Sequence, residues 1–201
     1  MSELITNKLT PGSGSSDTVT MGDSGDTFNF PSGVTVTANA GATVSGFGGG
    51  KVLQVVSTGK TDTYSNTSTT FTDITGMSVS ITPSATSSRI LVLCQISWMN
   101  GALSNRGFIR LMRDSTPINV ATSTGSRPAT SIGGENDSGS HIMSGNIQFV
   151  DSPSSTSSIA YHLEASSESG STFYLNRTIG DADNAVTPRA TSTITAIEIG
   201  A

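Results

Sequence analysis

Clusters of Asn, Asp, Gly, Pro and Ser interrupt this chain every few residues, and between them run short stretches rich in Val, Ile and Thr. Asn66-Thr67-Ser68, Asn100-Gly101, Asp151-Ser152-Pro153-Ser154-Ser155 and Glu168-Ser169-Gly170 are such clusters, and 83–88 is another. The spacing predicts strands over 51–57, 70–74, 77–83, 89–99, 106–114, 116–121, 141–150, 159–165, 171–176 and 192–199. No run between the turns carries a helical period over a helical length. β-branched Thr suits a pleated, half-buried surface, whereas Leu, Lys, Glu and Gln, which favour helix, are scarce. Short strands at this spacing without helices make the chain all-β, a sandwich or a barrel.

Charge narrows the function. Only 12% of residues are charged, against about 25% in an average domain, so the polar surface is built mostly from hydroxyls. The net charge is −5 and the ten Lys and Arg are scattered, which argues against nucleic acid, whose phosphates need clustered cations. Cys94 is the only cysteine; it lies in the apolar run 89–96 and reads as a buried small hydrophobe, without a disulfide or cysteine zinc cage. The start, Met1-Ser2-Glu3-Leu4-Ile5, has no basic and then apolar leader, and no apolar run is long enough to span a bilayer. The expectation is a soluble product made in a cytoplasm.

Residues 1–50 have a different texture. Thr18-Val19-Thr20-Met21, Thr27-Phe28-Asn29-Phe30-Pro31 and Gly33-Val34-Thr35-Val36 are brief alternating pieces cut by turns. Each buries too little apolar surface alone to offset its conformational entropy. Three identical chains wound round one axis would supply the missing surface, so Phe28, Phe30, Val34 and Val36 are expected trimer contacts in a thin stalk. Gly46-Phe47-Gly48-Gly49-Gly50 then reads as a joint, dividing a stalk and attachment segment, 1–50, from a head, 51–201. Lys51 after these glycines does not make a phosphate loop, because Ser45 and Val52 stand where that motif needs Gly and Ser or Thr.

Candidate chemistry is sparse. His141 and His162 lie in separate expected strands, without the converging ligands a metal site requires. No Gly-x-Ser-x-Gly elbow supports a serine nucleophile. The acidic stretches Asp23-Ser24-Gly25-Asp26, Gly134-Glu135-Asn136-Asp137 and Asp181-Ala182-Asp183-Asn184 gather oxygens but miss the calcium-loop framework, and turn-building accounts for them. One Trp, Trp98, and three Tyr give little platform for sugar cleavage. No catalytic, cofactor or metal site is expected. Phe108, Phe149, Tyr161, Phe173 and Tyr174 fall in expected strands and read mostly as core, with Tyr161 and Tyr174 placed near a subunit contact. The last strand is apolar on both faces: Ile194, Ala196 and Glu198 share one side, Thr195, Ile197 and Ile199 the other. Ile197 is therefore an expected trimer contact.

Several segments carry a resemblance: Lys51-Val52-Leu53-Gln54-Val55-Val56, Ser88-Arg89-Ile90-Leu91-Val92-Leu93, Arg110-Leu111-Met112-Arg113-Asp114-Ser115-Thr116-Pro117-Ile118, Asp151-Ser152-Pro153, Tyr161-His162-Leu163-Glu164-Ala165 and Ala190 through Ile199. With them, 51–201 resembles the trimeric jelly-roll heads of fibre proteins of tailed bacteriophages, especially those of marine hosts, similar in architecture to tumour-necrosis-factor and complement-type heads. The segment before it resembles the short stalks that precede such heads. The resemblance implies a non-enzymatic homotrimer in the virion, mounted on tail or capsid through its first ~20 residues, with no nucleic-acid partner and no membrane insertion. Loops 100–105, 122–140 and 180–189 are expected to meet host glycan or protein, with Asn100, Asn105, Arg127, Glu135, Asn136, Asp137, Asp181, Asp183 and Arg189 as candidate contacts. Alternatives are a capsid decoration protein, a surface-polysaccharide depolymerase and a free-standing lectin.

Overall fold

A computed structural model describes residues 51–101, 104–135, 140–168 and 171–200. The expected stalk contacts Phe28, Phe30, Val34 and Val36, and the loop residues Asn136 and Asp137, lie outside the described residues. Eleven strands and no helix make up the described chain: β1 (Val52–Lys60), β2 (Tyr64–Asn66), β3 (Thr72–Ile81), β4 (Arg89–Asn100), β5 (Arg106–Arg113), β6 (Thr116–Ile118), β7 (Ile132–Glu135), β8 (Met143–Asp151), β9 (Ile159–Ser167), β10 (Phe173–Leu175) and β11 (Ser192–Ile199). They form a β-sandwich of two antiparallel sheets. In the first sheet β4 lies between β8 on one side and, on the other, β11 followed by β10, with β1 and β2 outermost. In the second, β3–β9–β5 are neighbours and β5 then pairs with both β6 and β7.

Alternation decides which side chains lie between the sheets. Cross-strand partners share a face, so Val56, Ala196, Val92 and Phe149 form one inward row and Thr58, Ile194, Cys94 and Ile147 the next. Opposite them stand Met77, Val79 and Ile81 of β3, Ile109 and Leu111 of β5, and Tyr161, Leu163 and Ala165 of β9, all buried. At ~25 cal/mol per Å2 of apolar area, this double layer is the main source of stability. Burial pushes the Cys94 thiol up to about 12, consistent with its reading as an inert apolar residue.

Three strand expectations change. The two runs 70–74 and 77–83 are one strand, β3, interrupted by a bulge: Asp73 faces Glu164 and Ser78 faces His162, so the bulged side carries the extra residues. Gly76 takes the left-handed φ of 83° that this excursion needs. β2 forms just before the turn Asn66-Thr67-Ser68, where no strand is expected, and β7 forms within the expected loop 122–140. The chain's course along β4 is also broken: β10 leaves at Leu175, opposite Trp98, and β11 resumes at Thr193, opposite Gln95. Buried Asn176 holds the break with a φ of 60°. Its backbone N–H donates to Ser97 O at 2.8 Å. Its side-chain amide donates to Lys60 O at 2.9 Å and Asp62 O at 3.0 Å, and its carbonyl accepts from Ser192 Oγ at 2.7 Å.

The register also gives the sandwich two ends. Val52, Ile199, Arg89 and Asp151 lie together at a base, where Gly200 N–H also donates to Lys51 O at 2.8 Å. Asn100, Phe173, Arg106 and Ser167 lie at the opposite end, the apex.

Candidate interaction surface

The outward faces of the two sheets differ in kind. On the first sheet, register places Val55, Ile197, Leu91 and Val150 in one row across β1, β11, β4 and β8. The next row is Ser57, Thr195, Leu93 and Gln148, and the third is Gly59, Thr193, Gln95 and Asn146. None of these twelve residues is charged. Val55 is 56% and Val150 46% exposed, and Val52 and Leu53 beside them at the base are exposed as well. Higher up the polarity is met internally, as where the Ser57 and Thr195 hydroxyls pair at 2.8 Å. Near the apex the same face is closed: Met99 is fully buried, and the Arg177 guanidinium lies 4.5 Å from the centre of its strand-partner Tyr174's ring.

The outward face of the second sheet is charged. Arg110 pairs with Glu164 at 2.5 Å and stacks over Phe71 at 4.3 Å. Arg106 meets Glu135 at 3.0 Å and Glu168 at 3.3 Å. His162 spans a shallow groove, Nδ1 on Asp73 and Nε2 on the Asp114 carbonyl, both at 2.8 Å. Contiguous exposed aliphatics without a charge mark a contact surface, while dispersed ion pairs mark a solvated one.

The candidate residues sort accordingly. Ile197 lies in the first of the uncharged rows, and Tyr174 on the apical part of the same face. Tyr161 is a correction: it is fully buried between the sheets, where its hydroxyl donates to Asp151 Oδ2 at 2.7 Å, and it can touch no second chain. Its phenol is shifted upward by burial and by that carboxylate. Arg113 reaches the same carboxylate at 2.9 and 3.0 Å, so the cluster ties β5 and β9 to β8. Asn100 is a second correction, since it closes β4 and is fully buried, accepting from Ser167 Oγ at 3.1 Å. Glu135 ends β7 instead of lying in a loop, and Asn105 is half-buried just before β5. Exposed Arg127 lies on a loop that leaves the β5 edge opposite Leu111 and rejoins it opposite Ile109, at mid-height and away from the apex.

Asp181, Asp183 and Arg189 belong to the excursion between β10 and β11. There Arg189 grips Asp181 through two bonds of 3.0 and 2.8 Å, with Arg177 at 3.8 Å, and the Arg189 hydrogen bond holds the Asp181 carboxyl below its ordinary range. Asp183 is exposed.

Sequence reasoning missed Glu198. This carboxylate points inward at the base, fully buried, and accepts from Ser84 N–H at 2.7 Å, Ser84 Oγ at 2.6 Å, Ser88 Oγ at 2.7 Å and Gln54 Nε2 at 2.6 Å. Burial pushes its pKa up, but these donors outweigh it and hold the group at about 2. The clasp closes the base by tying β11 to β1 and to the turn after β3. The shared parity of Glu198 with Ile194 and Ala196 was legible in the sequence, but not that this parity turns inward. No family model matches the chain, and no curated protein matches it.

Proposed function

We propose that this chain is a homotrimeric virion fibre protein of a tailed bacteriophage, without enzymatic activity, whose jelly-roll head displays loops for host-surface adhesion. The strand order supports a jelly roll, with β1–β11–β4–β8 packed on β3–β9–β5 and the split β6/β7. The observation that carries the reading is the three uncharged rows across the outward face of the first sheet, bordered at the base by exposed Arg89, set against the ion-paired face of the second. A chain that travels alone gains nothing from leaving Val52, Leu53, Val55 and Val150 in water.

Polarity along the sandwich supports the adhesive role. β1 begins at the base, while β4, β7 and β9 end together at the apex. Three copies on each fibre convert weak contacts with glycan or protein into adhesion through effective concentration. The buried carboxylates Glu198 and Asp151 are consumed by structural hydrogen bonds, which leaves them no part in host recognition.

Two measurements on the full-length protein test this reading. Light scattering is expected to give three times the 20.5 kDa chain mass. Purified trimer is also expected to saturate binding to host cells and to block adsorption of the phage that carries it. A monomeric mass sinks the proposal. A trimer that leaves adsorption untouched and copurifies with shell protein identifies a capsid decoration protein instead.

A further inference from the structure

His162 is held in a way that only one of its protonation states satisfies. Its ring lies in the groove of about 470 Å3 on the outward face of the second sheet, lined also by Asp73, Thr75, Gly76, Ser78 and Asp114. Nδ1 meets Asp73 Oδ1 and Nε2 meets the Asp114 carbonyl oxygen, each at 2.8 Å. A carbonyl oxygen and an ionised carboxylate only accept, so both contacts are hydrogen bonds when both ring nitrogens carry a proton, which is the imidazolium. A neutral imidazole has a single N–H, and its other nitrogen then sets a lone pair against an oxygen.

The two acceptors belong to different elements. Asp114 lies in the turn between β5 and β6, which is pinned to β9 independently: Asp114 N–H donates to Ala160 O at 2.8 Å, and Ala160 N–H donates to Asp114 Oδ1 at 2.9 Å. Asp73 stands where the bulge of β3 begins, and its side chain is 71% exposed. Ile74 and Met77 anchor the bulge in the core, so the part left to move is Thr75 and Gly76, the latter already at the left-handed φ of 83°. The other charges near the ring are occupied. Glu164, two residues along β9, pairs with Arg110 of β5; Arg113 reaches Asp151; Lys60 of β1, whose Nζ approaches Gly76, is bound to Asp62; β6 contributes no charge. We infer that His162 is a pH-operated latch: with its proton it fastens the bulge of β3 to the β5–β6 turn across the groove, and without it one of the two contacts is lost and the groove loosens at Thr75 and Gly76. The closed state belongs to the acid side and is lost as pH rises. This device goes beyond adhesion and does not depend on the trimer.

The test is amide hydrogen exchange of the full-length chain between about pH 5 and 8, the range in which histidine changes charge, with each rate divided by that of the same sequence unstructured. Peptides covering 73–78 are expected to exchange about three- to tenfold faster at the alkaline end, the weight of one charge-assisted hydrogen bond at a partly exposed site. Two variants approach the latch from opposite ends. His162→Gln does not titrate, and Asp73→Ala removes the Nδ1 acceptor and leaves a neutral ring satisfied on the Asp114 carbonyl. Both are expected to abolish the step with the strand circular-dichroism signal kept; should His162→Gln lose that signal, the exposed Asp73→Ala decides alone. Absence of the step in the unsubstituted chain would overturn the inference. A step that survives His162→Gln would belong to another group, His141 included, and would overturn it too. A step lost in His162→Gln but kept in Asp73→Ala would mean that the ring acts on the turn alone and bridges nothing.

Discussion

At the scale of single residues, Glu198 makes the sharpest claim. A buried carboxylate with no ion pair among the described residues is tolerable because neutral donors from Ser84, Ser88 and Gln54 converge on it. Its folded value of about 2 lies below the ordinary 4.5. A depressed value means that the ionised group stabilises the fold above the ordinary range and that this contribution is lost as pH falls from there towards about 2. Glu198→Gln turns an amide N–H2 towards at least one donor and is expected to cost about 1–3 kcal/mol near neutrality. Urea unfolding of both proteins should show the gap shrinking steadily as pH is lowered through the window between 4.5 and about 2. A gap that does not change with pH would mean that the carboxylate carries no charge in the fold. The sequence showed the parity of Glu198 but not its direction. With apolar residues on both faces of 192–199, nothing local says which face meets the second sheet. Tyr161 is the opposite case, since Ile159, Tyr161, Leu163 and Ala165 alternate cleanly and already place it in the core. Aromatic chemistry suggested a subunit contact, and periodicity was the better guide.

At the scale of elements, Trp98 explains why some strands were legible and others were not. Its indole lies between the sheets, stacked on Phe173 with ring centres 5.6 Å apart. So large a ring needs the opposing backbone to have no side chain. A Cβ on Gly107 of β5 would stand 2.5 Å from its ring, and Gly134 of β7 and Gly145 of β8 lie close around it. Glycine weakens a strand by propensity, so Ile132-Gly133-Gly134-Glu135 looked like loop, although tertiary packing makes it β7. Strands whose alternation carries large apolar residues, such as β4, β9 and β11, were legible because local and tertiary preferences agree. Gly107→Ala is expected to destabilise by about 1–3 kcal/mol through overpacking, read as a lower midpoint in urea at unchanged slope. Gly59→Ala, where nothing lies within 4 Å of the added methyl, is the matched control and should leave the midpoint in place. Gly→Ala at a compatible backbone conformation reduces the freedom of the unfolded chain and so favours the fold; equal destabilisation at both sites would mean that the indole does not set the cost.

At the scale of the whole molecule, the two sandwich faces make opposite predictions about what holds an assembly together. If copies met through the second sheet, Arg106, Glu135, Glu168, Arg110 and Glu164 would supply the contact, and these ion pairs are partly exposed and open to screening. If they meet through the uncharged rows of the first sheet, the driving force is removal of Val52, Leu53, Val55 and Val150 from water, and mobile ions have nothing to screen. At about 1 M salt the Debye length falls to about 3 Å, comparable to the separations within these partly exposed pairs. The mass of the full chain is therefore expected to stay the same from low salt to about 1 M sodium chloride, and sulfate, which strengthens apolar burial, should make the assembly harder to dilute apart. Dissociation on adding sodium chloride would move the contact to the charged face and remove the argument from Ile197. Composition alone reached part of this result: few charges and many hydroxyls indicated an all-β chain with an unusual surface. What it lacked was the pairing register, because only when β1, β11, β4 and β8 lie side by side do Val55, Ile197, Leu91 and Val150, 142 residues apart in the extreme, become one surface.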